Sequence, residues 1–146
     1  MLNQFLVGAF VSFCNIAIHA LVMVAVIGVV IRVTSAMAMS HHLIRLITTM
    51  IATVSVLMVA HFVEVFVWSL AYTIVGAASS GTDLIYFAFV NYTTLGYGDV
   101  TPVERWHLLG PMAAMNGVLL FGLSTAIIFE VLRRTYDYQP QRMETS

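Results

Sequence analysis

Three long apolar stretches, separated by short polar segments, dominate the pattern of the chain. The first runs from Met1 to Ile31 without a formal charge, and the second, Leu46 to Thr82, carries one histidine and one glutamate. The third is Trp106 to Phe129. A helix rises 1.5 Å per residue, so about 20 residues cross the hydrocarbon core of a bilayer. The pattern predicts three transmembrane helices, at about residues 4–33, 43–75 and 106–129.

Between the second and third stretches lies an apolar, aromatic segment, Asp83 to Thr93, which is too short to span a membrane. A glycine-rich stretch follows it. Non-helical backbone is tolerated at membrane depth only where it is buried in protein or lines a water-filled path. The segment therefore predicts a re-entrant helix and loop, with Thr82 as the N-cap and Asp83 in the first turn.

Composition supports a membrane protein, because 60% of the 146 residues are hydrophobic and 9% are charged. Soluble domains carry roughly 25% charged residues. The lipid bilayer is therefore an expected partner, and the net charge of −1 argues against nucleic acid. Near the end of the second stretch, Trp68 and Tyr72 fit an aromatic belt at the membrane interface.

Arginine positions predict the orientation. Arg32 and Arg45 flank the first loop, Arg133 and Arg134 follow the last stretch, and the re-entrant side has only Arg105. The positive-inside rule places the first loop and the C-terminus in the cytoplasm and the N-terminus outside. We expect a multi-pass protein of the plasma membrane, which is the cell inner membrane if the source is a Gram-negative bacterium.

The stretch Thr93-Thr94-Leu95-Gly96-Tyr97-Gly98-Asp99 carries most of the functional information. Its glycines tolerate positive φ, which a strand needs if its carbonyls are to turn toward one side. Four such strands around one axis stack rings of oxygens that replace the water around a cation.

This stretch resembles the selectivity filter of the potassium channels, whose usual form is Thr-Val-Gly-Tyr-Gly, with Leu95 in the place of Val. Pro102 and Trp106 fall where that family has Pro and Trp, and Gly117 matches its hinge glycine. The resemblance covers about residues 59–134. It implies an ion-channel pore domain (43–135) followed by a short cytoplasmic tail (136–146). The preceding transmembrane helix and cytoplasmic loop (1–42) are extra, because the minimal two-helix pore has no counterpart to this helix.

The resemblance implies an all-α membrane protein with three transmembrane helices, a re-entrant pore helix and a filter loop, assembled as a homotetramer. It implies a potassium-selective passive channel, without enzymatic activity or organic cofactor. The alternatives are a weakly selective cation channel and a non-conducting scaffold or regulatory subunit. K+ would be the transported ion. The ion-binding filter residues would be Thr94, Leu95, Gly96, Tyr97 and Gly98, and K+ itself would contact the carbonyls of the first four and the Thr94 hydroxyl.

Around the filter, the resemblance assigns support to Thr93, Asp99 and Tyr86, with Tyr86 donating a hydrogen bond to Asp99. The Tyr97 ring would pack against the pore helix. A stripe at helical spacing would line the cavity and gate: Gly117, Val118, Phe121, Thr125 and Ile128. Such a stripe is equally typical of packed core, and Thr125 is its best cavity candidate because it is polar.

His61 and Glu64 stand at positions i and i+3 inside the second span, where ionisable groups are costly and indicate function. Counting about 1.5 Å per residue, Asn15 and His19 of the first helix reach a similar depth. These four residues predict a buried polar cluster. Three interpretations are open: a hydrogen-bond network that clamps the first helix to the pore, a proton-sensitive gate, and a metal site.

Overall fold

The computed structural model describes residues 1–36 and 42–137, whose regular elements are all helices, without a strand. Four α-helices and one short 3-10 helix follow in order: α1 (Leu2–Ala36), α2 (His42–Val75), α3 (Leu84–Tyr92), the 3-10 helix (Glu104–Trp106) and α4 (Leu109–Asp137). Most of the predicted loop after α1, and the predicted tail beyond residue 137, lie outside the described residues.

Three stretches are long and apolar enough to cross a bilayer, Leu2–Arg32, Leu43–Val75 and Glu104–Thr135. The protein is therefore a multi-pass membrane protein, and the predicted all-α class with three spans is confirmed. The short helix α3 lies between the second and third spans, as the sequence predicts.

Helix α4 continues beyond its predicted end at Phe129. Glu130 accepts hydrogen bonds from Arg133 and from Arg134, with closest nitrogen–oxygen distances of 2.9 and 2.6 Å. Ion pairs at i,i+3 and i,i+4 stabilise an exposed helix by about 0.2–0.5 kcal/mol each. These pairs explain why polar residues after the apolar stretch remain helical.

The start of α3 corrects one prediction. Asp83 is the N-cap, because its Oδ1 accepts from the backbone N–H groups of Ile85 (3.0 Å) and Tyr86 (3.1 Å). The Thr82 hydroxyl instead lies 3.2 Å from that of Ser79. Thr82 is therefore not the cap, although both residue types cap helices well.

Helices α1 and α3 each pack against both α2 and α4. Two apolar cores result. One joins α3 to the first half of α1, the second half of α2 and the start of α4, through side chains that include Val11, Trp68, Phe87, Tyr92 and Leu109. The other joins α1, α2 and α4 further along, through Val26, Val30, Leu57, Ile127 and Val131.

The predicted aromatic belt is wrong, because Trp68 and Tyr72 are fully buried. Trp68 Nε1 donates to Asn116 Oδ1 at 3.0 Å, and the Tyr72 hydroxyl donates to the Leu109 carbonyl at 3.4 Å. Both residues belong to the core that α1, α3 and α4 form around α2. The polar tips of these rings thus find partners inside the protein, as buried Trp and Tyr generally do.

Candidate functional site

The backbone of the Thr93–Asp99 segment alternates in handedness. Thr94, Gly96 and Gly98 have positive φ values of 61°, 56° and 79°, whereas Leu95 and Tyr97 between them do not. Regular strands and helices keep φ negative throughout. The alternation is the kind of backbone that allows consecutive carbonyls to face one side, which an ion path lined by backbone oxygens requires.

Thr94 is an outlier, since a β-branched residue rarely adopts positive φ. The end of α3 holds it in place: Thr94 N–H donates to the Asn91 carbonyl at 3.0 Å. The Val90 carbonyl accepts from Leu95 N–H at 2.9 Å and from Gly96 N–H at 3.3 Å. Strain that the surrounding structure maintains in this way is typical of functional sites.

The far end of the segment is tied to the start of α3. The Tyr86 hydroxyl donates to Asp99 Oδ2 at 2.6 Å, which is the contact that the resemblance implies. This hydrogen bond to a carboxylate, together with burial and the negative charge, raises the pKa of Tyr86 to about 12. The segment is therefore anchored at both ends to the same short helix.

The Thr93–Asp99 segment is exposed along its whole length in a single chain. Leu95 and Tyr97 are 54% and 66% exposed. The Tyr97 ring is therefore not buried against the helix of its own chain, and its packing against a pore helix stays a prediction. An apolar surface of this kind is typical of a face that another protein surface covers.

Gly117 is a point of close approach between α4 and the end of α3. A Cβ at this position would collide with the carbonyl oxygen of Tyr92 and stand 3.0 Å from its carbonyl carbon. Packing therefore requires glycine here. The role of hinge, which the resemblance implies, stays a prediction.

The rest of the predicted cavity stripe lies mostly on the open face of α4. Val118 and Phe121 are 59% and 39% exposed, and Thr125 is exposed while its hydroxyl donates to the Phe121 carbonyl at 3.0 Å. Ile128 is half-buried and packs against the core that contains Ile127. The stripe therefore faces away from its own chain at Val118 and Thr125 and into the core at Ile128. Phe121 is partly exposed but also packs against the rings of His61 and Tyr92.

The structure brings the four predicted polar residues of α1 and α2 together. His19 Nδ1 lies 2.7 Å from Glu64 Oε1, and His61 Nδ1 lies 2.9 Å from Glu64 Oε2. Asn15 Nδ2 donates to the Glu64 carbonyl at 3.2 Å. Asn15, His19 and Glu64 are fully buried and His61 is 8% exposed. Two membrane spans thus meet through a buried carboxylate.

Sequence reasoning missed three partners of this group. The Tyr92 hydroxyl donates to Glu64 Oε2. Ser124 Oγ lies 2.9 Å from His61 Nε2 and 3.2 Å from His19 Nε2. Asn116 Oδ1 accepts from Asn15 Nδ2 at 3.1 Å.

One signal for these partners was present in the sequence. Ser124 follows Gly117 by seven residues, which puts both on one face of α4. A small residue that admits another backbone marks the face that packs inward, so Ser124 rather than Thr125 was the polar residue to expect inside. Tyr92 gave no such signal, because a pore-helix aromatic is equally expected in an apolar core.

The donor atoms of His19, His61 and Glu64 lie within 4.8 Å of one another, which is close enough to consider a metal ion. Ligand atoms around a tetrahedral ion at about 2.1 Å stand about 3.4 Å apart. The nitrogen–oxygen distances here are 2.7 and 2.9 Å, which are hydrogen-bond lengths. Hydrogen bonds therefore hold these three side chains together, and the side chains would have to move apart to bind a metal ion.

A comparison with known families gives the wider context. A family model described as ion channel matches residues 60–134, just over half of the chain. This chain belongs to the ion channel family. Comparisons with curated proteins and with solved structures gave no significant match.

The matched part of this ion channel begins within α2 and ends within α4. It contains α3, the Thr93–Asp99 segment and every polar partner on α2, α3 and α4. Helix α1, which supplies Asn15 and His19, lies before it. The family is one of ion channels, typically oligomeric in the membrane, and is not an enzyme family.

Proposed function

We propose that this ion channel conducts potassium ions selectively and passively through a pore formed by four copies of the chain. The observation that carries the proposal is the alternating φ of Thr94, Gly96 and Gly98 within Thr-Leu-Gly-Tyr-Gly. Hydrogen bonds to α3 at both ends of the segment support it, because a conduction path built from carbonyls must hold its shape as ions pass.

The transported ion contacts backbone oxygen in this proposal. The carbonyls of Thr94, Leu95, Gly96 and Tyr97, with the Thr94 hydroxyl, replace the hydration shell of K+. The Leu95 side chain alters the packing behind the strand and leaves the number of carbonyls unchanged. Ions exchange between stacked sites and move down the electrochemical gradient.

Four-fold assembly follows from the chemistry of the segment. One chain supplies one strand, and a ring of oxygens needs several strands around an axis. The exposure of Leu95 and Tyr97 supports this assembly, because neighbouring copies would cover both side chains. The Tyr97 ring then packs against a neighbour's α3. Val118, Phe121 and Thr125 face the shared cavity below.

The orientation in the membrane is part of the same proposal. Arg45 lies in the first turn of α2, and Arg133 and Arg134 lie near the end of α4. These positively charged ends of α2 and α4 face the cytoplasm, which leaves the N-terminus and Asp99 outside. The cell membrane is the expected location, and in a Gram-negative bacterium this is the inner membrane.

A flux assay in liposomes tests the proposal. The purified protein should pass K+ and exclude Na+ under matched gradients, and Gly96→Ala should abolish K+ flux because a Cβ strains its positive φ. Gly81→Ala is the matched control. Gly81 has φ of 89° and open space around it, but it lies in the loop before α3.

Each rival function predicts a different outcome. Equal K+ and Na+ flux would support a weakly selective cation channel. No flux from intact oligomers, under any pH or voltage, would support a scaffold or regulatory subunit. Retained K+ flux in Gly96→Ala would contradict the assignment of the Thr93–Asp99 segment as the ion path.

A further inference from the structure

Five side chains from four helices form a closed polar group that has no part in the proposed ion path. They are His19 of α1, His61 and Glu64 of α2, Tyr92 of α3 and Ser124 of α4, and we name this group the four-helix cluster. All are less than 9% exposed. The cluster is the point where α1, outside the family match, touches the helix that precedes the Thr93–Asp99 segment.

Five of its contacts each need one hydrogen atom. Glu64 contacts His19 Nδ1 at 2.7 Å, His61 Nδ1 at 2.9 Å and the Tyr92 hydroxyl. Ser124 Oγ contacts His61 Nε2 at 2.9 Å and His19 Nε2 at 3.2 Å. A sixth contact, 2.9 Å between His61 Nδ1 and the Tyr92 hydroxyl oxygen, closes a triangle with Glu64 Oε2 and can share the His61 N–H.

The chemistry of the side chains limits where these hydrogen atoms come from. Tyr92 and Ser124 supply one each, since a hydroxyl has one O–H. Ser124 therefore donates to only one of the two histidines and accepts from the other. Three protons remain for His19, His61 and Glu64 to supply. Two neutral histidines beside an ionised carboxylate hold only two.

The completed network therefore has one proton more than the ordinary neutral-pH forms of its groups. The third proton makes either an imidazolium beside a carboxylate or two neutral histidines beside a protonated carboxyl. Both arrangements have zero net charge, which suits a site inside the membrane. Removing the third proton leaves a net negative charge and one contact of the network without a hydrogen atom. In one arrangement this contact is the pair His61 Nδ1 and Glu64 Oε2, where two lone pairs then face each other.

We propose that the four-helix cluster is a proton-binding site that holds three ionisable protons when its network is complete, and that release of one proton alters ion flow. The effect of proton release on ion flow rests on the proposed function, whereas the number of protons in the cluster is independent of that function.

Tyr92 connects the cluster to the ion path. With three protons, its hydroxyl donates to Glu64 while the His61 N–H fills the triangle. With two protons, in the arrangement that leaves His61 Nδ1 bare, this nitrogen competes with Glu64 for the single Tyr92 O–H. Tyr92 is the last residue of α3, and its carbonyl packs on Gly117 of α4. A change in its hydrogen bond is thereby transmitted to Thr93 and Thr94.

The groups that face the cluster come from every helix around it. Helix α1 contributes His19, α2 contributes His61 and Glu64, and α3 contributes Tyr92. Helix α4 contributes a hydroxyl and the ring of Phe121, whose centroid lies 4.5 Å from that of His61. Within the described residues, the charge of the cluster therefore depends on these four titratable side chains.

Nuclear magnetic resonance of the intact protein in lipid nanodiscs counts the protons directly. With 15N-labelled histidine and 13C-labelled glutamate, assigned through His19→Gln, His61→Gln and Glu64→Gln, we expect three protons on these residues at about pH 6. One proton should leave in a single step as the pH is raised. An ionised Glu64 beside two neutral histidines at that pH would overturn the proposal, and so would a tightly retained metal ion on both histidines.

Glu64→Gln separates the proton from the shape of the network. An amide oxygen in place of Oε2 accepts from Tyr92 and His61, and its N–H group donates to His19 Nδ1. His19 Nε2–H then donates to Ser124, and Ser124 donates to His61. The network is complete with both histidines neutral, so K+ flux through this variant should not depend on pH.

Flux from liposomes between about pH 5 and pH 9 tests the coupling. We expect wild-type flux to change by about fivefold or more, at the lower end of typical couplings between sites. Glu64→Gln should keep the wild-type low-pH flux throughout. His107→Gln, an exposed histidine outside the cluster, is the matched control and should keep the wild-type profile.

The outcomes separate this proposal from the function itself. A pH response of Glu64→Gln equal to the wild type would overturn the coupling. Absence of K+ flux in the wild type at every pH would contradict the proposed function, while a spectroscopic count of three protons would still support the proton site.

Discussion

Tyr92, the last residue of α3, donates its hydroxyl to the carboxylate of Glu64 in the membrane-spanning helix α2. The residue that precedes the Thr93–Asp99 segment is thus bonded to a buried acid. Both histidines that contact this acid also contact Ser124 of α4. One carboxylate therefore joins the base of the proposed ion path to all three spans.

Tyr92→Phe should destabilise the protein, because it leaves a buried carboxylate oxygen short of a donor without changing the ring. The expected loss is about 1–3 kcal/mol. Denaturant unfolding of the purified oligomer in detergent measures it. Equal stability of Tyr92→Phe and the wild type would contradict the role of Tyr92.

Gly117→Ala should prevent normal packing, because its Cβ collides with the Tyr92 carbonyl. Overpacking typically costs about 1–3 kcal/mol, and we expect a lower midpoint of thermal unfolding and loss of oligomer on size-exclusion chromatography. Gly122→Ala on the same helix is the control, since nothing lies within 4 Å of its Cβ position.

The same pair distinguishes close packing from the hinge that the resemblance implies. Alanine favours a helix over glycine by up to about 1 kcal/mol. If Gly117 served only for bending, Gly117→Ala would be at least as stable as the wild type and would alter opening alone. That result would contradict the packing role.

Tyr86→Phe should leave the pH dependence of flux unchanged. Its pKa is raised to about 12, mainly by the hydrogen bond to Asp99, so the neutral phenol is favoured in the folded protein. The bond is fully present below the ordinary tyrosine pKa of about 10 and is lost as the pH rises through about 12. Between pH 5 and pH 9 Tyr86 therefore stays protonated.

Parallel flux measurements on the wild type and Tyr86→Phe check this prediction. K+ flux through Tyr86→Phe should be lower than in the wild type, since the far end of the Thr93–Asp99 segment loses its hydrogen bond to α3. The ratio of the flux at pH 5 to the flux at pH 9 should equal that of the wild type. A variant without any pH response would assign the proton effect to the outer mouth and not to the four-helix cluster.

Hydropathy alone predicts the three spans and the re-entrant helix, because the cost of burying charge in lipid determines where each span ends. The depth of a residue also follows from simple counting, which is why Asn15, His19, His61 and Glu64 could be grouped. Rotation of one helix against another depends on packing of the whole chain. The interior positions of Trp68 and Tyr92 were therefore not evident, whereas the spacing of Ser124 from Gly117 indicates its interior position.

Local backbone detail was partly predictable. Thr82 and Asp83 are adjacent and both suit an N-cap, so composition does not separate them, whereas the extended backbone at Asp83 does. The positive φ of Gly96 and Gly98 follows from residue type. That of Thr94 does not, because hydrogen bonds from the end of α3 impose it on a residue that disfavours it.

The reversal potential of purified protein in a planar bilayer, with K+ on one side and Na+ on the other, tests the central claim most directly. Selective K+ conduction predicts a reversal potential far from zero, with the sign that opposes K+ flow out of the K+ side. It also predicts a loss of current in Gly96→Ala but not in Gly81→Ala. A wild-type current that reverses near zero under this gradient would contradict the account.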